Sequence, residues 1–271
     1  MLKKLLRHEW LESWKVPALI GIIVAVLSAA SAVYFRFAPP LTSDVELHVG
    51  NLILFTSYTL VVCSVGLILT IYLGVRFYKN LYTDEGYLMH TLPVKPWMLL
   101  ASKGLVASAW LWISNILLLV CVLPVTCFAL PKMAYFEPEE LPQLFDALTN
   151  TLGGGIPETI FYLLPYLIVN CAFSALTLYA AVCLGQLFNR HRVMAAVLCY
   201  LGINALISTA SSFFVLPGMT GMIITHADDF SLILPAFMRT IFFISFFVEI
   251  ALSAALFFLS DYIMRKCLNL D

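Results

Sequence analysis

The fold of this chain is decided by a stretch that reads LILFTSYTLVVCSVGLILTIYLGV at residues 52–75 and RFYKNLYTDEGYLMHTLPVKPW at residues 76–97. The first part exceeds the roughly 20 apolar residues that a helix needs to cross a bilayer. The second part mixes charged and aromatic side chains, and its last apolar run stops at Leu92 and Pro93. Another long apolar run follows. The stretch therefore predicts two membrane-spanning helices joined by a polar connection.

The composition of the whole chain favours the same class of protein. Of its 271 residues, 62% are hydrophobic and 11% are charged, which lies outside the range of soluble globular domains. A net charge of -1 argues against a nucleic-acid partner, which would require a basic excess. We expect an all-α integral membrane protein that forms a single transmembrane domain over residues 1–271. Its six predicted spans are residues 17–37, 52–75, 104–130, 160–187, 193–215 and 238–261.

Basic residues determine the predicted orientation. Three of the 15 lysines and arginines, namely Arg36, Lys132 and Arg239, fall on one predicted side. The other 12 fall on the opposite side, and an excess of Lys and Arg marks cytoplasmic segments. The prediction is a multi-pass protein of the cell (plasma) membrane with both termini in the cytoplasm and an extracellular loop at residues 131–159. The 12 cytoplasmic basic residues are Lys3, Lys4, Arg7, Lys15, Arg76, Lys79, Lys95, Lys103, Arg190, Arg192, Arg265 and Lys266.

Residues 1–16 precede the first span and carry an amphipathic pattern. Helical spacing relates Leu2, Leu5, Leu6, Trp10 and Trp14, while most charged side chains fall off that stripe. Tryptophans favour the headgroup level of a membrane, so the pattern predicts a helix that lies in the inner interface. The apolar run that follows is too long for the core of a cleaved signal peptide, and we interpret it as a retained span.

Two further segments are predicted not to cross the membrane. In residues 76–97, Thr83 can cap a short cytoplasmic helix that has Asp84 and Glu85 near its positive end, and Pro93 ends that helix. Residues 216–237 are apolar but contain two prolines and two glycines, which favours a re-entrant segment or a hairpin at the outer face.

Glu249 is the most unusual residue in the predicted spans because a carboxylate near the middle of a bilayer is costly. It defines a candidate intramembrane polar site together with the span residues Asn115, Asn170 and Asn204. One interpretation is a site for a substrate or a proton. The other is a structural hydrogen bond between helices, which is the common role of asparagine in such spans.

The motifs of enzymes and metal sites are missing from the sequence. There is no HExxH pair, no GxSxG elbow and no Walker A sequence, and the seven cysteines include no CxxC pair. We therefore expect no catalytic residues and no metal site in this chain. Six of the cysteines lie in apolar runs, which is typical of thiols that pack in a core.

The motif YKNLYTDEGYLMHTLPV at residues 78–94, followed by LLASK at residues 99–103, resembles the permease subunits of ATP-binding-cassette (ABC) exporters, in particular the type-2 permeases of Gram-positive bacteria. The order of an interfacial helix, six spans and a basic inner side is similar as well. The resemblance implies a dimer of identical or homologous permeases, bound to separate ATPase subunits that hold ATP and Mg²⁺. It implies no cofactor in this chain.

By the same resemblance, residues 77–92 would contact the ATPase, within a cytoplasmic coupling segment that covers residues 76–97. The residues assigned to that contact are Tyr82, Asp84, Glu85, Gly86, Tyr87, Leu88 and Met89. The family exports peptides, drugs, lipids and ions, and the sequence does not select among them.

Two alternatives remain open from the sequence. A self-contained channel or secondary transporter would depend on Glu249 and on an ion gradient rather than on ATP. A membrane sensor or scaffold that transports nothing would bind a ligand through the loop at residues 131–159.

Overall fold

The computed structural model describes residues 2–37, 45–83, 96–133, 156–188, 191–225 and 230–266. These ranges contain helices and no strand. In chain order the helices are α1 (Leu2–Ser13), α2 (Lys15–Phe37), α3 (Val45–Tyr82), α4 (Pro96–Met133), α5 (Ile156–Gly185), α6 (Arg192–Thr225) and α7 (Phe230–Lys266).

The predicted all-α class is confirmed for the described residues. Helices α2 to α7 are each long and apolar enough to cross a membrane, with mean hydropathies between 1.9 and 2.4 over their most apolar windows. In a bilayer every backbone N–H and C=O must be paired within the protein, and a helix pairs them within itself. The chain is therefore an integral membrane protein with six candidate spans.

Most of the helices are longer than the spans predicted from hydropathy. Helix α3 covers Val45–Tyr82, whereas the apolar run covers residues 52–75. Its 38 residues extend about 57 Å, nearly twice the roughly 30 Å of a bilayer's hydrocarbon core. Hydropathy reports only the lipid-facing part, because helical hydrogen bonds continue into polar residues beyond it. As a result, the first seven residues of the 76–97 segment belong to α3.

Residues 216–237, expected to form a re-entrant segment or a hairpin at the outer face, contain the end of one long helix and the start of the next. Helix α6 continues through Pro217 to Thr225, and α7 begins at Phe230. The Thr220 hydroxyl donates to the carbonyls of Leu216 and Pro217, at 3.0 and 3.1 Å. A Cβ on Gly218 would lie 2.9 Å from the ring of Phe237, so the glycine allows α6 and α7 to approach closely there. Proline and glycine mark a close helix contact here rather than a break.

Helix α5 lies at the centre of the bundle. It packs against α3, α4, α6 and α7, whereas α2 packs mainly on α4. Within the apolar windows, 56% of α5 is buried, against 17% or less for each of the other five helices. The remaining helices therefore present most of their apolar side chains outward, as lipid contact requires.

Two buried clusters lie at opposite ends of the bundle. The larger one joins the end of α3, the start of α4, and the ends of α5 and α7. We call this end the basic end, because Arg76, Lys103 and Arg265 lie there, and we call the opposite end the far end. The basic-end core consists of Leu69, Leu73, Phe77, Leu81, Leu100, Ala107, Ala175, Leu178, Tyr179, Val182, Cys183, Ile263 and Met264. The smaller, far-end core consists of Phe35, Tyr58, Val125 and Ala129.

Two glycines in this bundle are predicted to respond in opposite directions to alanine. A Cβ on Gly185, at the end of α5, would lie 2.6 to 2.7 Å from the backbone and Cβ of Ala196 in α6. We expect Gly185→Ala to lower the free energy of unfolding by about 2 kcal/mol, because backbone must shift to admit the methyl group. Thermal unfolding of the purified chain measures this.

The matched control is Gly66→Ala in α3, where a Cβ would meet nothing within 4 Å. Alanine has the better helix propensity, so this variant should be unchanged or more stable by up to about 1 kcal/mol. Equal melting of the two variants would show that the contact between Gly185 and Ala196 is not tight.

Candidate functional site

A buried ion cluster joins α1 to the basic end. Glu9 of α1 is 5% exposed and Lys103 of α4 is 4% exposed. The Lys103 ammonium donates to one carboxylate oxygen of Glu9, and the Arg76 guanidinium of α3 lies 3.4 Å from the other. Arg76 also lies 3.1 Å from the more exposed carboxylate of Glu12. Two cations from two helices therefore hold one buried anion of a third helix.

Polar and aromatic contacts complete this attachment of α1. The Ser13 hydroxyl donates to the Glu9 carbonyl at 2.7 Å, and the Trp110 indole donates to the Ser13 hydroxyl at 2.9 Å. Trp10 stacks on Trp110 with ring centroids 4.5 Å apart. The adjoining cavity measures about 10 Å³ and has space for one water molecule at most. Because nothing larger fits, the cluster holds helices together rather than a substrate.

The buried face of α1 differs from the stripe expected from the sequence. Trp14 is 47% exposed and Trp10 is 38% exposed, whereas Glu9 and Ser13 are buried. The packed face follows Leu2, Leu5, Leu6, Glu9 and Ser13, a spacing that the sequence already contained. Sequence reasoning passed over Glu9 because a carboxylate is rarely buried without partners. Those partners, Arg76 and Lys103, are remote in sequence.

The predicted coupling segment is anchored on both sides in the basic-end core. Leu81, at the end of α3, and Leu100, in the first turn of α4, are each 0% exposed, and Leu99 is 3% exposed. The Thr83 hydroxyl donates to the Lys79 carbonyl at the end of α3. The expected contact residues Asp84, Glu85, Gly86, Tyr87, Leu88 and Met89 lie outside the described residues.

Tyr82 is the member of the predicted ATPase contact that the structure describes. Its hydroxyl donates to the Cys183 sulfur of α5 at 3.1 Å, and its ring packs edge-on against Phe77. Phe77 in turn stacks on Tyr179 of α5, with ring centroids 3.8 Å apart. The last turn of α3 is thus connected directly to the central helix.

Glu249 lies within the apolar window of α7 and faces α5. One of its carboxylate oxygens, Oε1, accepts hydrogen bonds from the Tyr166 hydroxyl and the Asn170 amide, both at 3.1 Å. The other, Oε2, is buried and has no hydrogen-bond partner among the described residues. Sequence reasoning missed Tyr166, although it lies four residues before Asn170 and therefore on the same face of α5.

The other two asparagines of the predicted polar site are not brought to Glu249. The Asn115 amide of α4 donates to the Cys171 sulfur at 3.4 Å. Cys171 follows Asn170 in α5, so this hydrogen bond lies next to the Glu249 group without including Glu249. The Asn204 amide donates to the Tyr200 carbonyl within α6, at 2.8 Å. The arrangement is therefore a hydrogen-bonded group of three residues, Glu249, Tyr166 and Asn170.

Two open clefts lie along the helices. One, of about 260 Å³, lies between α5 and α7 and borders the Glu249 group through Tyr166. The other, of about 350 Å³, lies between α2 and α3 and is lined by apolar side chains and the hydroxyls of Ser31, Tyr34, Ser57 and Tyr58. Among the described residues neither cleft is lined by a charged side chain, and the second cleft does not border the Glu249 group, so its chemistry selects no class of ligand.

No protein-family model matches this chain, and neither a curated protein nor a solved structure matches it. Its function is therefore argued from the residues and geometry described above.

Proposed function

We propose that this chain is the permease subunit of an ABC exporter that uses ATP hydrolysed by a separate subunit. In this proposal the basic end faces the cytoplasm, and closure of the ATPase subunits exerts a force on residues 77–92. The permease works as a pair of identical or homologous chains in the plasma membrane. The cargo is a peptide, drug, lipid or ion that crosses between the helices.

The observation that carries the proposal is the packing of the described residues on either side of residues 84–95, at the end of α3 and the start of α4, in the basic-end core. Leu81 and Leu100, on opposite sides of the segment, are both fully buried in that core. A connecting segment with no mechanical role would not need its two ends packed so tightly. A force applied to this segment would pass into α3, α4 and the central helix α5 together.

The ion cluster supports the same proposal. Glu9 of α1 forms ion pairs with Arg76 and Lys103. Arg76 lies six residues before Tyr82 in α3, and Lys103 lies near the start of α4. Packed interiors move as units rather than deform continuously. A displacement of α3 and α4 would therefore carry α1 with it, as expected if α1 acts as the interfacial connecting helix of a permease.

Purification of the tagged chain from its native membrane in mild detergent tests the proposal. We expect an ABC ATPase in near-stoichiometric amount, identified by mass spectrometry. Scrambling residues 84–87 should remove it, whereas scrambling residues 145–148, in the predicted extracellular loop, should not. A well-folded chain that brings no ATPase would contradict the proposal.

The Glu249 group favours a second candidate, a self-contained secondary transporter. A carboxylate in a helix apolar enough to span a membrane, with one oxygen that accepts no hydrogen bond from the described residues, is a typical site for an ion or proton. This candidate predicts flux in liposomes that contain the chain alone, driven by an ion gradient and unaffected by ATP. It predicts loss of that flux in Glu249→Gln.

A further inference from the structure

We infer that the cleft between α5 and α7 is a binding site for a small organic cation with an apolar body, such as an aromatic quaternary ammonium. The two helices present matching faces to it. Tyr162, Tyr166 and Asn170 follow one another at intervals of four along α5. Phe242, Phe246 and Glu249 share one face of α7. Each face thus carries two aromatic residues, followed by a polar residue of the Glu249 group.

The walls of the cleft are aromatic rings in fixed mutual orientation. Tyr162 packs edge-to-face against Phe243, and Tyr166 packs edge-to-face against Phe242, with centroids 5.6 and 5.1 Å apart. Phe161, Pro165 and Phe246 complete the lining. Ring faces carry partial negative potential and attract cations, most strongly where water is excluded. None of the described lining residues is basic, so the lining offers an anion no opposite charge.

Glu249, in its carboxylate form, places a negative charge behind the aromatic wall. The Tyr166 ring lines the cleft while its hydroxyl donates to Glu249 Oε1, so the carboxylate lies one side chain away from the cleft. The second oxygen is buried and accepts no hydrogen bond from the described residues, so the charge of the carboxylate is free to attract a nearby cation electrostatically. Arg239, one helical turn from the cleft along α7, is exposed and is not one of the described residues that line the cleft.

The size of the cleft restricts the ligand. About 260 Å³ lies just below the usual range of ligand pockets, which begins near 300 Å³. A single aromatic ring that carries a trimethylammonium group fits this space, whereas a folded peptide does not. The identification of such a cation as cargo rests on the proposed transport function, but its binding to the chain does not.

Phenyltrimethylammonium is the probe for this site, and benzenesulfonate is the control ligand of opposite charge. Binding is measured by saturation-transfer NMR titration of the full chain in nanodiscs of zwitterionic lipid, without any ATPase. We expect the cation to bind with a dissociation constant of about 1 mM or tighter and benzenesulfonate not to bind. Absence of cation binding, or equal binding of the anion, overturns the inference.

Two pairs of variants test which residues form the site. Glu249→Gln keeps an acceptor for Tyr166 and Asn170 but loses the charge, and should weaken cation binding by about tenfold. Glu158→Gln removes an exposed carboxylate at the start of the same cleft helix and should have an effect below about twofold. Phe246→Leu, in the cleft, should weaken binding by about two- to fivefold, whereas Phe247→Leu, on the exposed side, should not.

Unchanged affinity in Glu249→Gln overturns the inference even if the cation binds. If that variant does not fold, the pair of phenylalanine variants decides, and equal affinities of Phe246→Leu and Phe247→Leu overturn the inference. Because the ATPase takes no part in the titration, failure here leaves the co-purification result intact. Likewise, absence of an ATPase partner leaves the binding result intact.

Discussion

Replacing Glu9 with alanine is expected to lower the free energy of unfolding by about 3–5 kcal/mol, which is large for a single substitution. The substitution leaves Lys103, only 4% exposed, without its carboxylate. A buried ammonium with no counter-charge lowers the stability of the fold far more than the intact ion pair does. Arg76 is affected less, because it retains Glu12 at 3.1 Å. Thermal melting of the purified chain, followed by circular dichroism, measures the effect.

Two variants make this prediction specific. Glu12→Ala removes a carboxylate that is 46% exposed and contacts the same Arg76, and it should change stability by about 1 kcal/mol or less. The double variant Glu9→Met with Lys103→Met removes both charges and should recover most of the stability, because apolar side chains can replace a buried ion pair. If Glu9→Ala and Glu12→Ala have the same melting temperature, the buried ion pair does not stabilise the packing of α1 on the bundle.

The double variant Glu85→Ala with Tyr87→Ala is expected to uncouple the permease from its ATPase. Both residues lie in the predicted contact, where a few charged and aromatic side chains usually carry most of the binding energy. Loss of two such side chains should weaken the contact by about tenfold or more. The membrane fold should persist, because the basic-end core is formed by residues other than Glu85 and Tyr87, such as Leu81 and Leu100.

The measurement compares ATP hydrolysis by the reconstituted complex with hydrolysis by the ATPase alone, together with export of cargo. We expect the double variant to show the rate of the free ATPase and no export. The matched control, Tyr135→Ala with Glu139→Ala, removes the same residue types from the predicted extracellular loop and should leave both readouts unchanged. Normal export by the Glu85 and Tyr87 double variant would argue strongly against an ABC permease.

The number and class of the helices could be predicted from sequence because lipid imposes a simple rule. Each of the six apolar runs became one helix, since a backbone in hydrocarbon has few other ways to pair its polar groups. The positions at which the helices begin and end could be predicted less well. Pro217 did not end α6, and α3 continues past the apolar run to Tyr82. Hydropathy measures what contacts lipid and does not measure where helical hydrogen bonding stops.

Sequence alone determined that this chain is a helical membrane protein and that Glu249 is an unusual carboxylate within it. Only the tertiary structure decided which groups meet. In the structure Asn170 and Tyr166 donate hydrogen bonds to Glu249, whereas Asn204 bonds to a carbonyl of its own helix. Glu9 forms ion pairs with Arg76 and Lys103. The physical reason is that hydropathy is a property of each segment by itself. Compensation of a buried charge, in contrast, depends on how helices remote in sequence rotate and pack against one another.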